Sequence, residues 1–300
     1  MGYRNLKIDS NIQWRIQNQQ LRLEAGQEVS IPLEDIDTIL IENHAVKLTA
    51  FMLQKFAELG IAVYVCDEKH MPNAVVLPML RHSRHYRLLK AQMNLAKPLQ
   101  KRLWQQVVVR KIENQAECLK LSQREGSEKL YAMAKEVQSG DKTHVEAKAA
   151  AYYFSCLFGK RFSRGDDCLV NSALNYGYAI LRGMIARELI CYGFEPAIGL
   201  FHKSELNSFN LADDMIEPFR PLIDLFAASR FCPEQVEALT PGDKRELYSL
   251  VNYDMEIANE THMVSNCVEK AVASLSTSLQ EEKIGLKLPK LILLQEHRYE

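Results

Sequence analysis

The apolar period of the sequence changes near residue 78, and this change limits the folds that the chain can adopt. Before it, apolar residues form short runs typical of strands, at 14–18, 20–24, 29–33, 36–42, 61–66 and 74–77. One helical segment interrupts them at 49–59, and Gly60 follows at the position of a left-handed C-terminal cap. Past residue 78, long helical periods dominate. The sequence therefore predicts an α+β protein, with a small strand-rich N-terminal domain (1–78) and a larger all-helical C-terminal domain (79–300).

Two helices of the C-terminal region have clear start and stop signals. The first begins within 140–143, runs to Phe158 and stops at Gly159. The second is capped by Asn171 or Ser172, and Gly193 ends it.

Composition indicates a folded protein of the reducing cytoplasm. The chain has 300 residues, of which 47% are hydrophobic, enough for a packed core. Its seven cysteines form no Cys-x-x-Cys pair and no disulfide-like framework. The N-terminus has no apolar signal core, and no uncharged apolar run approaches the ~18 residues that span a bilayer. These features predict a cytoplasmic protein without a membrane partner.

Basic residues are concentrated in one segment of the sequence, although the net charge is only −1. No acid occurs from residue 69 to residue 111, a stretch with ten lysines and arginines. Arg81, Arg84, Arg87 and Lys90 recur every three residues, which on a helix forms a cationic stripe of the kind that follows phosphates. The alternative is a solvated helix face that pairs with acids from elsewhere.

A second basic segment, 160–165, has an aromatic residue within it, and Arg182 and Arg220 lie on later helical segments. These residues too could simply pair with nearby acids. The predicted DNA-backbone contacts are the 81–111 stripe and, as individual candidates, Arg81, Arg84, Arg87, Lys160, Arg161, Arg164, Arg182 and Arg220.

His202, Asp214 and Glu217 lie in a segment rich in apolar residues. If 210–221 is helical, the two acids lie about 5–6 Å apart on one face and could share a cation. Carboxylates with one histidine suit magnesium or manganese, whereas structural zinc normally uses cysteine and several histidines. Acids in apolar surroundings repel one another unless a cation offsets their charge, so the pattern favours a divalent-metal site.

Each acid and the histidine also has a purely structural interpretation. Thr143 and Glu146 match a capping box, in which Glu146 would bind a backbone N–H at a helix start. A single His202 after an apolar run is more often a hydrogen-bonded core residue than a ligand. Asp213 and Asp214 could be exposed acids in a first helical turn, where the helix dipole favours negative charge.

Several segments together resemble a known family. They are THVEAK (143–148), NYGYAILR (175–182), GLFH (199–202) and NLADDMIEPFRP (210–221), with ILIEN (39–43) and VCDEKHMPN (65–73) in the N-terminal region. In these segments the chain resembles the CRISPR-associated endonuclease and integrase of the adaptation module, the "Cas-one" family, and specifically its type II branch. The resemblance spans nearly the whole chain.

The resemblance implies a set of functional residues and partners. It implies Mg²⁺ or Mn²⁺ bound by Glu146, His202 and Glu217, with Asp214 as a neighbouring support or occasional ligand. It implies an N-terminal domain that mediates homodimerisation and a C-terminal domain that holds the metal.

The implied reaction inserts short foreign DNA fragments into a CRISPR array, by attack of a DNA 3′-hydroxyl on a phosphodiester. The implied partners are double-stranded DNA, as incoming fragment and repeat-leader junction, and the small adaptation protein "Cas-two". The type II effector nuclease is a further candidate partner.

Two other functions remain open on the residues themselves. One is a noncatalytic DNA-binding assembly scaffold, whose acids only stabilise helix ends. The other is a small-molecule metallophosphoesterase, which would need no extended cationic track.

Overall fold

The chain divides into two units, Met1–Ser83 and Arg84–Glu300, in the computed structural model. Residues 4–25, 27–68, 71–77 and 85–297 are described. The division falls a few residues beyond the sequence-predicted boundary after residue 78.

The first sheet of the N-terminal unit is a meander of three antiparallel strands. It contains β2 (Gln13–Gln17), β3 (Gln20–Ala25) and β4 (Gln27–Pro32) in that order. Asn18 and Gln19 join β2 to β3 with φ values of 52° and 58°, which is the backbone of a tight hairpin turn.

The second sheet of this unit combines parallel and antiparallel pairs. Its order is β1 (Arg4–Ile8), β5 (Ile36–Ile41), β6 (Ala62–Cys66) and β7 (Pro72–Val76). Strand β5 pairs in parallel with β1 and β6, whereas β7 runs antiparallel to β6. The parallel β5–β6 pair needs a crossover, and helix α1 (Ala50–Leu59) supplies it.

The predicted secondary structure of this unit is found within about two residues at each end. The Thr49 side chain accepts a hydrogen bond from the Met52 N–H and begins α1, and Gly60 ends it with φ 75°. Strand β1 is absent from the sequence-based prediction because only two of its five residues, Leu6 and Ile8, are apolar. Both sheets and α1 contribute to one apolar core, which includes Leu21, Ile39 and Phe56.

Helices make up most of the C-terminal unit. They are α2 (His85–Met93), α3 (Lys97–Leu121), α4 (Ser127–Glu136), α5 (Val145–Phe158), α6 (Leu169–Cys191), α7 (Asn210–Met215), α8 (Arg220–Arg230), α9 (Pro241–Ser249) and α10 (Val264–Glu281). The 25-residue α3 packs against α4, α5 and α8, and α6 packs against α7, α8, α9 and α10. The two long helices therefore connect the segments in which the candidate site residues lie.

The C-terminal unit also contains a β-hairpin, so it is largely helical rather than all-helical. Strands β8 (Asp254–Ile257) and β9 (Glu260–Met263) pair antiparallel. Their turn is formed by Ala258 and Asn259, with φ values of 55° and 66°. The prediction missed the hairpin because four-residue strands show little periodicity and the turn lacks glycine.

The longest helices do not resemble membrane spans. Within the described ranges, no helix combines the length and the apolarity needed to cross a bilayer.

Candidate active site

Glu146 lies in the first turn of α5, and its backbone is held by an upstream acid. The Asp141 carboxylate accepts hydrogen bonds from the backbone N–H of Val145 (2.9 Å) and of Glu146 (3.1 Å). His144, with φ 52°, is the residue before the helix, and Thr143 does not form the predicted capping box. The capping-box interpretation is therefore wrong. Asp141 satisfies two of the free N–H groups of the helix start, so the Glu146 carboxylate is available for another contact.

Asp214 holds the turn that presents His202. Its Oδ2 accepts from the N–H of Leu200 (2.5 Å) and of Phe201 (3.0 Å). Its Oδ1 accepts from the His202 N–H (3.1 Å) and lies 2.7 Å from His202 Nδ1. Because Asp214 is fully buried, its charge depends on these four donors for solvation.

The interpretation of Asp214 as an exposed first-turn acid is therefore wrong. The two acids also do not share a cation across one helix face. Helix α7 ends at Met215, so Glu217 lies in the turn after the helix. Its carboxylate contacts Lys111 and Arg220, not the turn that Asp214 holds. The position of Asp214 beside His202 agrees with a supporting role, and its role as an occasional ligand stays a prediction.

Gly199 is needed for the close approach of this turn to Asp214. A Cβ atom at this position would lie 2.4 Å from the His202 carbonyl oxygen and 2.7 Å from Asp214 Oδ2. No side chain fits in that space, and this steric requirement explains the glycine in the 199–202 segment.

Glu217 is buried between two cationic side chains. Lys111 Nζ lies 2.6 Å from its Oε2, and Arg220 Nη2 lies 3.3 Å from its Oε1. Burial acts most strongly on the pKa of Glu217 and raises it, but the charges of Lys111 and Arg220 outweigh burial and lower the pKa overall. The Oε2 contact is an ion pair by distance without the angle of a hydrogen bond. Glu217 is therefore an ionised buried acid with one oxygen left poorly hydrogen-bonded.

Lys111 joins the two glutamates. Its Nζ also lies 2.7 Å from Glu146 Oε1, so both carboxylates contact the same ammonium group. This contradicts the prediction that the 81–111 stripe contacts the DNA backbone along its whole length, including Lys111. Lys111 is only 9% exposed, because it belongs to the inward face of α3 together with Trp104, Val108 and Gln115.

Sequence reasoning missed Lys111 as a site residue. The sequence did contain a signal for this role. Lys111 lies at helical spacing from apolar residues, and a charged side chain on a buried helix face needs an acid to pair with.

Asn114, one turn after Lys111, holds the Glu217 turn against α3. Its Nδ2 donates to the carbonyl oxygens of Pro218 (2.7 Å) and Pro289 (2.9 Å), and its Oδ1 accepts from the Leu291 N–H (3.0 Å). Asn114 is fully buried with these bonds satisfied, so it rigidly positions the acid next to Pro218.

His202 is partly exposed, with 40% of its side chain accessible, and it lies within electrostatic range of Glu217. The hydrogen bond that His202 donates to the Asp214 carboxylate is the main cause that raises the pKa of His202 above its ordinary value. Phe201 and Trp104 flank the imidazole edge-on and stack on each other with ring centres 4.5 Å apart. With Nδ1 directed at Asp214, Nε2 is the ring nitrogen that remains for a ligand.

The side chains of this site match some of the ligands that a hard divalent cation needs. Glu146 and Glu217 already converge on one cationic group, and carboxylate oxygens are the ligands that Mg²⁺ and Mn²⁺ prefer. Across the part of the chain that the structure describes, however, no three His, Cys, Asp or Glu side chains are grouped as a ready ligand set. The structure thus brings the two glutamates together through Lys111, and Glu146, His202 and Glu217 stay a predicted set of ligands.

The predicted DNA-contact residues fall into three groups. Arg87, Lys160 and Arg161 are exposed. Arg81 and Arg84 lie outside the described residues. The remaining three have partners within the protein: Arg164 donates to Asn171 and Asn175, Arg182 pairs with Asp213, and Arg220 pairs with Glu217.

The sequence also predicts Tyr86, Phe162 and Tyr176 as aromatic side chains that could stack on DNA bases, and the structure separates the three by burial. Tyr86 is 78% exposed, whereas Tyr176 is fully buried and Phe162 packs against Phe154 and Phe158. Tyr86 is therefore the candidate among the three that solvent reaches freely.

Comparisons with known proteins identify the family of the chain. The family described as CRISPR associated protein Cas1 matches residues 8–239. The chain is 41% identical to the CRISPR-associated endonuclease Cas1 of Neisseria meningitidis serogroup C (strain 8013), across 100% of both chains.

Solved structures share the fold. A casposase bound to integration product has a TM-score of 0.75 at 19% identity, covering 95% of this chain and 92% of that chain. A chain of a Cas6-RT-Cas1–Cas2 complex has a TM-score of 0.70 at 17% identity, covering 94% of this chain and 35% of that larger chain. The predicted fold class is thereby confirmed. With the family match over most of its length and the full-length relative, the chain belongs to the Cas1 family of CRISPR-associated proteins.

Proposed function

We propose that this protein is a metal-dependent DNA endonuclease and integrase that inserts short foreign DNA fragments into a CRISPR array. The observation that supports the proposal most is the convergence of Glu146 and Glu217 on one cation position, with both side chains largely removed from solvent. Such a pair of acids is costly unless a cation is held between them.

The predicted ligands are Glu146, His202 and Glu217. Bound Mg²⁺ or Mn²⁺ would polarise the scissile phosphate and lower the pKa of the attacking hydroxyl. The protein contributes orientation: Asp214 directs the His202 ring, Asn114 holds the turn after Glu217, and Asp141 holds the start of α5. Direct attack by a DNA 3′-hydroxyl in line with the leaving oxygen needs positioned charge and no covalent protein intermediate.

Double-stranded DNA is the proposed substrate, both as incoming fragment and as repeat-leader junction. The relative from Neisseria carries the name endonuclease, and the casposase was solved with an integration product. Exposed Arg87, Lys160 and Arg161 on this chain are the proposed backbone contacts. Arg164, Arg182 and Arg220 are proposed to support the site from within.

The proposed assembly is a homodimer formed through the strand-rich N-terminal unit, working with a Cas2 protein. A similar fold occurs in a Cas6-RT-Cas1–Cas2 complex. We further propose that the protein belongs to the type II branch, where the effector nuclease is a candidate partner, and that it acts in the cytoplasm. Seven free cysteines suit that reducing compartment.

The test is a cleavage and joining assay with a short duplex bearing free 3′-hydroxyls and a plasmid carrying a repeat-leader sequence. We expect products with Mn²⁺ or Mg²⁺ and none with EDTA. Glu146→Gln and Glu217→Gln should each lower the rate by at least about a hundredfold, because each removes a charged metal ligand. The matched control is Glu246→Gln, which changes an exposed acid paired with Arg230 and should retain full activity.

The other functions predict different results. A noncatalytic scaffold would bind DNA without metal-dependent products, and Glu217→Gln would change nothing. A small-molecule phosphoesterase would hydrolyse a simple phosphodiester just as fast after Lys160 and Arg161 are both changed to alanine. Either result would overturn the proposal.

A further inference from the structure

Lys111 lies at the position where the two acidic side chains converge. Its ammonium is 2.7 Å from Glu146 Oε1 and 2.6 Å from Glu217 Oε2, and the three side chains are 11%, 19% and 4% exposed. They come from three separate segments: the middle of α3, the first turn of α5 and the turn between α7 and α8. The contact is therefore a product of the tertiary fold.

The lysine is charged in this environment. Its ammonium contacts one carboxylate oxygen of each glutamate, at 2.7 Å and 2.6 Å, and a buried amine between two carboxylates is stabilised in its charged form. A positive charge between two carboxylates offsets their mutual repulsion at short range, where little water is present to screen it. Without a cation at this point, the α3, α5 and α7–α8 segments would be pushed apart.

A divalent metal ion would need the same oxygen atoms. Mg²⁺ and Mn²⁺ prefer carboxylate oxygens, so an ion held by Glu146 and Glu217 would compete with the Lys111 ammonium for the same place. A divalent ion and an ammonium separated by so little, in a partly buried site, repel each other strongly. The two cations therefore exclude one another.

We propose that Lys111 is a tethered counter-ion, which keeps Glu146 and Glu217 together in the metal-free protein and must move away when a divalent cation binds. This inference rests on the proposed metal-dependent function and adds a residue outside the predicted ligand set. The flexible four-carbon stem of lysine allows the ammonium to leave while α3 stays in place. The site is then preformed, at the cost of weaker metal binding, since displacement of Lys111 opposes it.

The test is the variant Lys111→Met, which removes the charge and retains most of the stem volume. We expect its metal-free melting temperature to fall, because two close carboxylates lose their counter-ion. Its melting temperature should then rise more with Mn²⁺ than that of the unchanged protein. Mn²⁺ titration followed by the electron paramagnetic resonance signal of the free ion should give a Kd at least about tenfold lower than for the unchanged protein.

Lys120→Met is the matched control on the same helix. Lys120 is 67% exposed, and its ion pair with Glu117 is long, at 3.7 Å. Its substitution should therefore change neither stability nor Mn²⁺ affinity. A second variant covers the case in which Lys111→Met does not fold without metal. Lys111→Met combined with Glu146→Gln removes one of the two repelling charges, and should be more stable without metal than Lys111→Met alone.

The outcomes separate the two proposals. If the unchanged protein binds Mn²⁺ and Lys111→Met binds it equally or more weakly, the counter-ion role is wrong and the metal-dependent function stands. An unaltered metal-free melting temperature in Lys111→Met would overturn the counter-ion role as well. If neither protein binds Mn²⁺, both proposals fail.

Discussion

Asp214 Oδ1 binds both the backbone and the ring of His202, accepting from the N–H at 3.1 Å and lying 2.7 Å from Nδ1. The other oxygen of Asp214 binds two further N–H groups of the same turn. A single buried carboxylate thus determines where the 200–202 segment lies and which way the imidazole faces. An anion that accepts several N–H bonds is a strong anchor, because each bond is charge-assisted.

Asp214→Asn should therefore damage both stability and activity. The amide group provides one acceptor oxygen and turns an NH₂ group toward N–H donors, so part of the turn loses its partners. We expect a loss of about 2–4 kcal/mol in the free energy of unfolding, and a fall in the joining rate of about 10–100-fold. Chemical denaturation and the joining assay measure the two effects.

Asp213→Asn is the neighbouring control for that variant. Asp213 is partly exposed and pairs with Arg182 at 2.7 Å, so the change should cost at most about 1 kcal/mol. Equal effects of the two substitutions would contradict the anchoring role of Asp214.

Gly199→Ala should disrupt the same turn by steric overlap. The new methyl group would meet the His202 carbonyl at 2.4 Å and Asp214 Oδ2 at 2.7 Å, and backbone gives way with difficulty. We expect a loss of about 3 kcal/mol in stability, together with loss of joining activity. Gly242→Ala is the control, because a Cβ there meets only Thr240 Oγ1 at 3.6 Å, and thermal melts of both variants make the comparison.

Exposed Lys160 and Arg161 should contribute to the salt dependence of DNA binding. Replacing both with alanine should weaken affinity for any duplex sequence and reduce the slope of log K against log[salt] by about 2, because two fewer counterions are released. Fluorescence anisotropy at several salt concentrations measures the slope. Lys120→Ala with Lys283→Ala removes equal charge at 67% and 75% exposed positions elsewhere, and an equal change in slope there would refute a local contact.

Asp224 should make the stability of the protein depend on pH. Its carboxylate is buried and accepts hydrogen bonds from Tyr153 (2.9 Å) and Tyr178. Burial raises the pKa of Asp224 to about 6, although the two tyrosine hydrogen bonds lower it. The folded protein thus binds more protons than the unfolded chain between about pH 4 and pH 6, so the contribution is full below that range and is lost as the pH rises through it.

Asp224→Asn removes this titration. The difference in unfolding free energy between the unchanged protein and the variant should change by about 3 kcal/mol from pH 4 to pH 7, with the unchanged protein losing stability relative to the variant as the pH rises. Urea denaturation across this range measures it. Parallel stability curves for the two proteins would show that Asp224 does not titrate there.

The N-terminal region was predictable because its signals are local. Thr49 and Gly60 bound α1 as expected, since a cap and a left-handed glycine act within a few residues of the chain. The short strands beside them follow from runs of apolar residues and polar breaks. The β8–β9 hairpin escaped prediction for the converse reason, because its strands are short and its turn has no glycine.

In the C-terminal region, the sequence determined the helical class and, through its resemblance to a family, the choice of Glu146, His202 and Glu217. Only the tertiary structure decided what these residues touch. Lys111 belongs to an acid-free basic run, which predicts a surface charge, yet the packing of α3 against α5 and α8 turns it inward between two glutamates. Local periodicity reports which face of a helix is buried, whereas the pairing of charges across 35 or 106 residues depends on how the helices pack in three dimensions.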